Sequence, residues 1–535
     1  MPGQDEAIAQ LFLAGVPGPE LTAEWRESLD RAPFGGVYLN PWNLTGPEQA
    51  AALLGEICAA IRERGVTGTP ILAIDHDGGS LSPLRGGEAT NLPGPLALAA
   101  TGDPRRVREA GRIIGRELAS LGFNLNLAPV LDIGLTPRGP VARVRTFGDQ
   151  PRRVVELAVA YVRGMQEGGV AAGVRHFPGC GGIVREHGRP PVSEDDLTRL
   201  EGLHLLPFGA AAAADVDVVC ASHIRVPRLA GSPLDPGGQH ADLPASLNPA
   251  LLERLLRRHL GFSGVIVTDP LEAPEIGARW DVGEAAVMAL EAGADIPLVA
   301  WDPAARERAF RAVREAVLRG RISAERLAQS LARIGALRER IARLRMEALA
   351  DVPFDPAAHR ALLVEHQARA AAIALRAVCA VEPAPPLAPR SRVLVVAPLQ
   401  PGLTPADPAR GRPVALPAHL ARLGCRVKAV QFSPQVAEEE RRAVLAAARG
   451  RCDRVIFCSL DAWRFPGQAA LFREVLRLGR PVTAVALGDP CDLPLLSGAG
   501  GRLATCSAEP VMMAALAAVL TGRAEPGGRL PLATP

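Results

Sequence analysis

Asp269 is the residue whose type and position most directly indicate chemistry. It ends the apolar run at 264–269 and is followed by Pro270, which fixes the turn and removes a backbone donor. A carboxylate placed there can act as the nucleophile that attacks an anomeric carbon in a retaining glycosidase. It can equally cap the helix that follows, so position alone leaves both interpretations open.

Two further segments at the ends of apolar runs carry groups suited to binding or proton transfer. Asp75 begins the sequence Asp-His-Asp-Gly-Gly, whose glycine pair lets the backbone approach a ligand closely, although such a segment is also a common turn. Arg175 and His176 lead into a glycine-rich loop that carries Glu186 and His187, a composition that suits either a mobile lid or a plain surface loop. A histidine that a carboxylate orients is well suited to proton transfer near neutral pH.

Alternating strand and helix patterns predict the elements that position these groups. Up to about residue 302, short apolar runs that end in a polar residue alternate with periodic helical stretches. The runs lie at 36–40, 71–75, 125–132, 173–177, 216–223, 264–269 and 294–300. They predict an α/β fold with a (β/α)8 TIM-like barrel, in which one strand stays unassigned. Barrel enzymes place catalytic groups at the carboxyl ends of the strands, where the candidate residues lie.

A second alternation follows a proline-rich break at 383–389. Its apolar runs lie at 392–397, 426–430, 454–458 and 481–487, which predicts a smaller α/β sandwich domain with a mostly parallel sheet. The predicted division is a barrel domain at 1–350, a helix and proline-rich linker at 351–390, and a C-terminal α/β domain at 391–535.

Composition excludes several classes of partner. Sixty basic against 57 acidic residues leave a formal net charge of +3 without a basic block, so nucleic acid is not an expected partner. Nine cysteines occur without a Cys-x-x-Cys spacing, which favours reduced thiols over disulfides or structural zinc. No signal-peptide pattern occurs at the N-terminus, and no apolar run approaches about 18 residues. These features predict a cytoplasmic protein without a membrane partner and leave the oligomeric state open.

The order of the motifs along the chain resembles glycoside hydrolase family 3, and within it the β-N-acetylglucosaminidase branch. The barrel motifs that carry the resemblance lie at 74–79, 124–132, 145–148, 175–179, 244–247, 260–269, 283–287 and 292–295. The segments at 486–494 and 526–531 are similar to the closing strands of the α/β sandwich domain that some members append.

The resemblance implies a retaining exo-glycosidase that hydrolyses terminal β-linked N-acetylhexosamine through a covalent glycosyl-enzyme intermediate. Asp269 matches the nucleophile of the family. The positions that match substrate-binding residues are Asp75, Arg145, Arg175 and His176. The implied partner is a small carbohydrate, and neither a cofactor nor a metal is implied.

One loop departs from the pattern of this branch. Relatives read Lys-His-Phe-Pro-Gly-His-Gly-Asp-Thr and then Asp-Ser-His, whose His is the acid/base and whose Asp orients it. Here the loop has Cys180 and Gly182 at two of these positions, and the triplet survives as the adjacent pair Glu186 and His187. The resemblance therefore assigns the acid/base role to His187, or directly to Glu186. The alternatives are a sugar-binding descendant with impaired catalysis and a transglycosylating or phosphorolytic variant.

Overall fold

The computed structural model describes residues 3–84, 88–139, 142–184, 191–350, 352–402 and 410–533. The two acid/base candidates, Glu186 and His187, lie outside the described residues. Among the described residues, no helix combines the length and the apolar character needed to cross a lipid bilayer.

A curled parallel sheet organises the first part of the chain, and each of its strands pairs with the next one in sequence. Its strands are Leu13–Ala14 (β1), Gly36–Tyr38 (β2), Ile71–Ile74 (β3), Leu125–Asn126 (β4), Ala171–Phe177 (β5), Val218–Ala221 (β6) and Val265–Thr268 (β7). Parallel bridges join Val267 to Ile296 and Ala14 to Val299, so the segment at 294–300 connects the seventh strand back to the first. This arrangement confirms the predicted barrel-type α/β fold.

The helices of this part of the chain lie before, between and after these strands. They are Gln4–Ala9 (α1), Ala23–Arg31 (α2), Pro47–Glu63 (α3), Pro95–Ala100 (α4), Pro104–Leu121 (α5), Pro151–Glu167 (α6), Leu197–Arg199 (α7), Leu205–Ala213 (α8), Pro274–Gly277 (α9), Val282–Ala292 (α10), Pro303–Leu318 (α11), Ala324–Glu347 (α12) and Pro356–Leu375 (α13). Two π-helical segments, Leu200–His204 and Ala250–His259, occupy further helical positions. Local chemistry sets the ends of α5, because Asp103 caps its first turn and Gly122 adopts the left-handed conformation after its last.

A second, smaller sheet follows. Its strands are Cys379–Glu382 (β8), Arg392–Pro398 (β9), Arg426–Phe432 (β10), Arg454–Ser459 (β11), Val482–Ala486 (β12) and Arg502–Ala504 (β13), in the order β10-β9-β11-β12-β13-β8. Its helices are Leu416–Arg422 (α14), Glu438–Arg449 (α15), Gly467–Leu476 (α16) and Pro510–Leu520 (α17). The β13–β8 pair is antiparallel and the other pairs are parallel, so the sheet is mixed.

We call residues 379–402 and 410–533 the C-terminal unit. Strand β8 belongs to its sheet although it lies inside the segment predicted as a linker, so the domain boundaries remain predictions. The unit rests on the loops that follow β3 and β4. Asn91 donates a hydrogen bond to Glu509 at 2.8 Å, and a side chain at Gly148 would meet the Pro531 carbonyl oxygen at 2.4 Å. That close backbone approach requires glycine at position 148.

Candidate active site

The carboxyl ends of the barrel strands bring together most of the residues predicted from the sequence. Asp75 directly follows β3, Arg175 and His176 lie in the second half of β5, and Asp269 directly follows β7. Because β3, β4 and β5 are successive neighbours in a parallel sheet, their carboxyl ends meet on one side of the barrel. Strands β3 and β7 are buried along their whole length, so Asp75 and Asp269, which directly follow them, lie at the rim.

Two arginines and two aspartates form the most closely connected part of this rim. Arg145 donates to Oδ2 of Asp77 from Nε at 2.9 Å and from Nη2 at 2.6 Å, and Arg175 donates from Nη2 to Oδ1 at 2.8 Å. Arg175 is also ion-paired with Asp75. The Asp77 side chain is 2% exposed, whereas that of Asp75 is 30% exposed. Asp77 therefore anchors both arginines, and Asp75 is the carboxylate that remains accessible to a ligand.

The surroundings move the pKa values of the two carboxyl groups in opposite directions. Burial raises the pKa of Asp77, but Arg145 and Arg175 outweigh this effect and lower it to about 2. Burial raises the pKa of Asp75, and the neighbouring Asp77 adds to the increase while Arg175 opposes it. Burial lowers the pKa of Arg175, yet Asp75 and Asp77 together hold it well above its ordinary value. The network thus keeps Asp77 and Arg175 ionised.

Asp269 sits in a defined environment at the end of β7. Its backbone N–H donates to the Ala221 carbonyl at 2.8 Å, and the Cys220 thiol donates to its Oδ1 at 3.1 Å. His223 holds the next peptide, because its Nε2 lies 2.9 Å from the Pro270 carbonyl oxygen while its Nδ1 meets Ser246 Oγ at 2.8 Å. A carbonyl oxygen can only accept, so Nε2 carries the proton. His223 is therefore a packed rim residue that fixes the turn after Asp269.

His176 is oriented by Asp132, which ends the segment after β4. His176 Nδ1 lies 2.7 Å from Asp132 Oδ2, and the other Asp132 oxygen accepts from the Cys180 backbone N–H at 2.5 Å. With Nδ1 engaged as the donor to a carboxylate, Nε2 is the imidazole nitrogen left for a ligand. Asp132 was recognised in the sequence as a polar residue at the end of an apolar run, and its role in orienting His176 emerges only from the structure.

Asp132, His176 and Cys180 also offer ligand atoms that lie within 4.8 Å of one another, the spacing of a metal site. Both Asp132 oxygens are already hydrogen-bonded. Burial raises the pKa of the Cys180 thiol well above its ordinary value, and the charges of Asp132 and Asp269 raise it further. Thiolate is the form that binds metal. The three residues therefore fit a hydrogen-bonded support for His176 better than a metal centre.

The altered loop is described up to Val184. Cys180 is buried, and a side chain at Gly182 would lie 3.5 Å from Nε2 of His204. His204 Nε2 meets Asp195 Oδ2 at 3.2 Å, and burial lowers the pKa of His204. A Cβ at Gly182 would therefore be in ordinary contact with His204, whereas a Cβ at Gly179 would come within 2.9 Å of the His204 Cβ, so Gly179 is the glycine that leaves room for this buried histidine.

A pocket lies between this rim and the C-terminal unit. Gly78 and Arg145 line it from the barrel, and Gln400 and Asp461 line it from the second sheet. Asp461 directly follows the residue after β11 and has a φ of 57°, a conformation that side-chain-bearing residues rarely adopt. Burial, together with Asp492 and Asp489, raises its pKa to about 7. The sequence interpretation missed Asp461, although its place just beyond an apolar run was a usable signal.

The chain is similar to a known family and to several named proteins. The family model described as "Glycosyl hydrolase family 3 N terminal domain" matches residues 4–337. Beta-hexosaminidase A of Pseudoalteromonas piscicida is 30% identical over 336 residues, which cover 60% of this chain and 56% of that protein. Beta-N-acetylglucosaminidase/beta-glucosidase of Cellulomonas fimi is 30% identical over 394 residues, which cover 73% of this chain and 66% of that protein. The chain thus spans less than two thirds of the length of either relative.

A solved structure is similar over the whole chain. A glycoside hydrolase family 3 beta-N-acetylglucosaminidase from Paenibacillus sp. str. FPU-7 superposes with a TM-score of 0.89 at 32% identity. The match covers 100% of this chain and 99% of that one, so the likeness includes the C-terminal unit as well as the barrel.

Proposed function

The chain belongs to glycoside hydrolase family 3, and from that membership and the geometry of the rim we propose that it is a retaining exo-glycosidase. Its proposed substrate is a glycoside with a terminal β-linked N-acetylhexosamine, such as a cell-wall sugar. The relatives named as beta-hexosaminidase and beta-N-acetylglucosaminidase support this choice of sugar. The observation that carries the proposal is Asp269 at the end of β7, on the same rim as Asp75, Arg175 and His176.

In the first chemical step, Asp269 attacks the anomeric carbon and the bond to the aglycone oxygen breaks. The Cys220 thiol occupies Oδ1, so we assign the attack to Oδ2. The product is a glycosyl ester of Asp269, and the departing oxygen takes a proton from the general acid. In the second step water gives a proton to the same group and attacks the anomeric carbon, which releases the sugar and restores the carboxylate.

Substrate binding is assigned to the groups that stay accessible around the Asp77 anchor. Asp75 and His176 Nε2 are proposed to bind sugar hydroxyls, with Arg145 and Arg175 as donors beside them; the Arg175–Asp75 ion pair and the bond from His176 Nδ1 to Asp132 support this assignment. Because Asp77 holds both guanidinium groups, these donors are oriented before the sugar arrives. Preorganised charge of this kind lowers the cost of ordering the site on binding.

The general acid/base is proposed to be His187, with Glu186 as the alternative. Both lie in the altered loop, where they are what remains of the triplet that carries the acid/base residue of this branch. A cytoplasmic location is also proposed, supported by nine cysteines that are all free thiols.

Two aryl β-N-acetylglucosaminides that differ in leaving-group pKa test the proposal. An intact acid/base predicts cleavage of both, whereas a missing general acid predicts cleavage of the activated glycoside alone. Proton NMR of the first sugar released should show the β-anomer, because two displacements retain configuration. Release of the α-anomer would contradict the mechanism. Binding of N-acetylglucosamine without cleavage of either glycoside would indicate a sugar-binding descendant, and strong acceleration by phosphate would indicate phosphorolysis.

A further inference from the structure

A short turn after β4 links the sugar-binding rim to the C-terminal unit. The turn is the 3-10 segment Arg143–Arg145. At one end, Arg143 forms a two-pronged ion pair with Asp489, with Nε to Oδ2 and Nη2 to Oδ1 both at 2.6 Å. Each of these side chains is only 6% exposed. At the other end, Arg145 donates to Asp77.

Hydrogen bonds within the turn fix the geometry between its two ends. The Arg143 carbonyl accepts from the backbone N–H of Thr146 and from its hydroxyl, each at 2.9 Å. The Arg145 N–H donates to the Ala142 carbonyl at 2.9 Å. A displacement of Arg143 therefore carries the backbone of Arg145 with it, since few torsions in the turn are free to absorb the change.

Asp489, on the C-terminal side of the contact, is also held in place. Asp489 caps the turn Pro490–Leu496 by accepting from the Cys491 N–H at 2.9 Å. Val144, between the two arginines, faces the same unit, because a side chain at Gly488 would lie 4.0 Å from its Cγ1. A planar guanidinium held by both carboxylate oxygens has one favoured orientation, which a lysine could not reproduce fully.

We propose that Arg143 and Asp489 are positioning residues through which the C-terminal unit sets the orientation of Arg145 at the sugar site. This inference rests on the proposed function, because its effect is on binding of the glycosidase substrate. Neither residue touches the sugar: the ion pair acts through the turn on Arg145, and through Arg145 on Asp77. The C-terminal unit is thereby a determinant of substrate affinity.

The test compares Arg143→Gln, Arg143→Lys and Asp489→Asn with a control, Glu509→Ala. Glu509 accepts a hydrogen bond from Asn91 and so bridges the same two parts of the protein through a contact that involves neither Arg143 nor Arg145. For an aryl β-N-acetylglucosaminide, Arg143→Gln and Asp489→Asn should each raise KM by about tenfold while kcat changes by less than about threefold. Arg143→Lys should raise KM less than Arg143→Gln does. The double variant that combines Arg143→Gln with Asp489→Asn should have a KM little higher than that of either single variant, since both substitutions remove the same contact.

Two results would overturn the positioning role while leaving the proposed function intact. The first is a wild-type KM in both Arg143→Gln and Asp489→Asn, and the second is an equal increase of KM in Glu509→Ala. The second result would mean that the ion pair serves general docking. Circular dichroism and urea unfolding midpoints identify any variant that fails to fold, in which case Arg143→Lys and its KM carry the test. A folded wild type that neither cleaves the glycoside nor binds N-acetylglucosamine would refute the proposed function and this inference together.

Discussion

Replacing Asp77 with asparagine tests whether this carboxylate is the anchor of the sugar site. Asp77→Asn keeps the shape of the side chain but removes its charge and places an amide donor opposite two guanidinium groups. Asp77 accepts three charge-assisted hydrogen bonds, two from Arg145 and one from Arg175, at 2.6 to 2.9 Å. We expect the variant to be clearly less stable than the wild type and to bind N-acetylglucosamine more weakly.

Two arguments from the structure bound the size of the effect. Lowering the Asp77 pKa from 3.8 to about 2 corresponds to roughly 2 to 3 kcal/mol in favour of the ionised form. Removing one partner of a buried ion pair costs about 3 to 5 kcal/mol, because an uncompensated charge stays behind. The second figure is the larger because it includes the cost of leaving Arg145 and Arg175 without the carboxylate they share. We therefore expect a loss of roughly 2 to 5 kcal/mol in the free energy of unfolding.

Asp75→Asn is the matched control. The Asp75 pKa is raised, so the folded protein disfavours its charge, and removing that charge should change the free energy of unfolding little or increase it slightly. The same change should still weaken sugar binding, because Asp75 is the accessible carboxylate. The two variants thus separate the anchoring role from the binding role.

The contribution of Asp77 to the free energy of unfolding should depend on pH in one direction. A folded pKa below the unfolded value means that Asp77 contributes its full stability above about pH 4 and loses it as the pH falls towards 2. Wild type should lose this contribution between pH 4 and 2, whereas Asp77→Asn should not. Urea unfolding followed by fluorescence of the five tryptophans, together with calorimetry of N-acetylglucosamine binding, measures both effects. Equal stability of wild type and Asp77→Asn from pH 3 to 7 would refute the reasoning.

Three further predictions concern the reaction and its surroundings. Asp269→Asn should abolish turnover of the aryl glycoside without unfolding the protein, because the amide cannot form the glycosyl ester, and retention of more than a few per cent of activity would place the nucleophile elsewhere. His187→Ala should slow cleavage of a poor leaving group by about 10² to 10⁴-fold, affect an activated one much less, and respond to azide; if Glu186 carries the proton, Glu186→Ala should show this pattern instead. Because burial raises the Asp461 pKa to about 7, the wild-type free energy of unfolding should fall as the pH rises from about 4 to 7. Asp461→Asn should flatten that dependence in thermal unfolding scans, and unchanged profiles would contradict the assigned burial of its carboxyl group.

Local pattern was sufficient to find the barrel and the residues at its strand ends. Apolar runs that end in a polar side chain mark strands whose carboxyl ends face the same way, so Asp75, Arg175, His176 and Asp269 could be placed on one rim from the sequence. Strand β1 was not predicted from the sequence because two residues are too few to show a hydrophobic period. Strand β8 was not predicted because it is a short strand at the sheet edge, and its partner β13 lies more than a hundred residues later in the chain.

The pairings that make the rim a site depended on tertiary structure. Asp77 and Arg145 are 68 residues apart, and Arg143 and Asp489 are 346 apart, so no local period connects either pair. Sequence showed that carboxylates and arginines occur at the ends of strands. The paths of the loops and the packing of the C-terminal unit on them decide which arginine each carboxylate holds. They also decide whether burial or a neighbouring arginine dominates the pKa of a carboxyl group. The physical reason is that pKa values and ion pairs depend on distance and burial, and both are set only when the chain has folded.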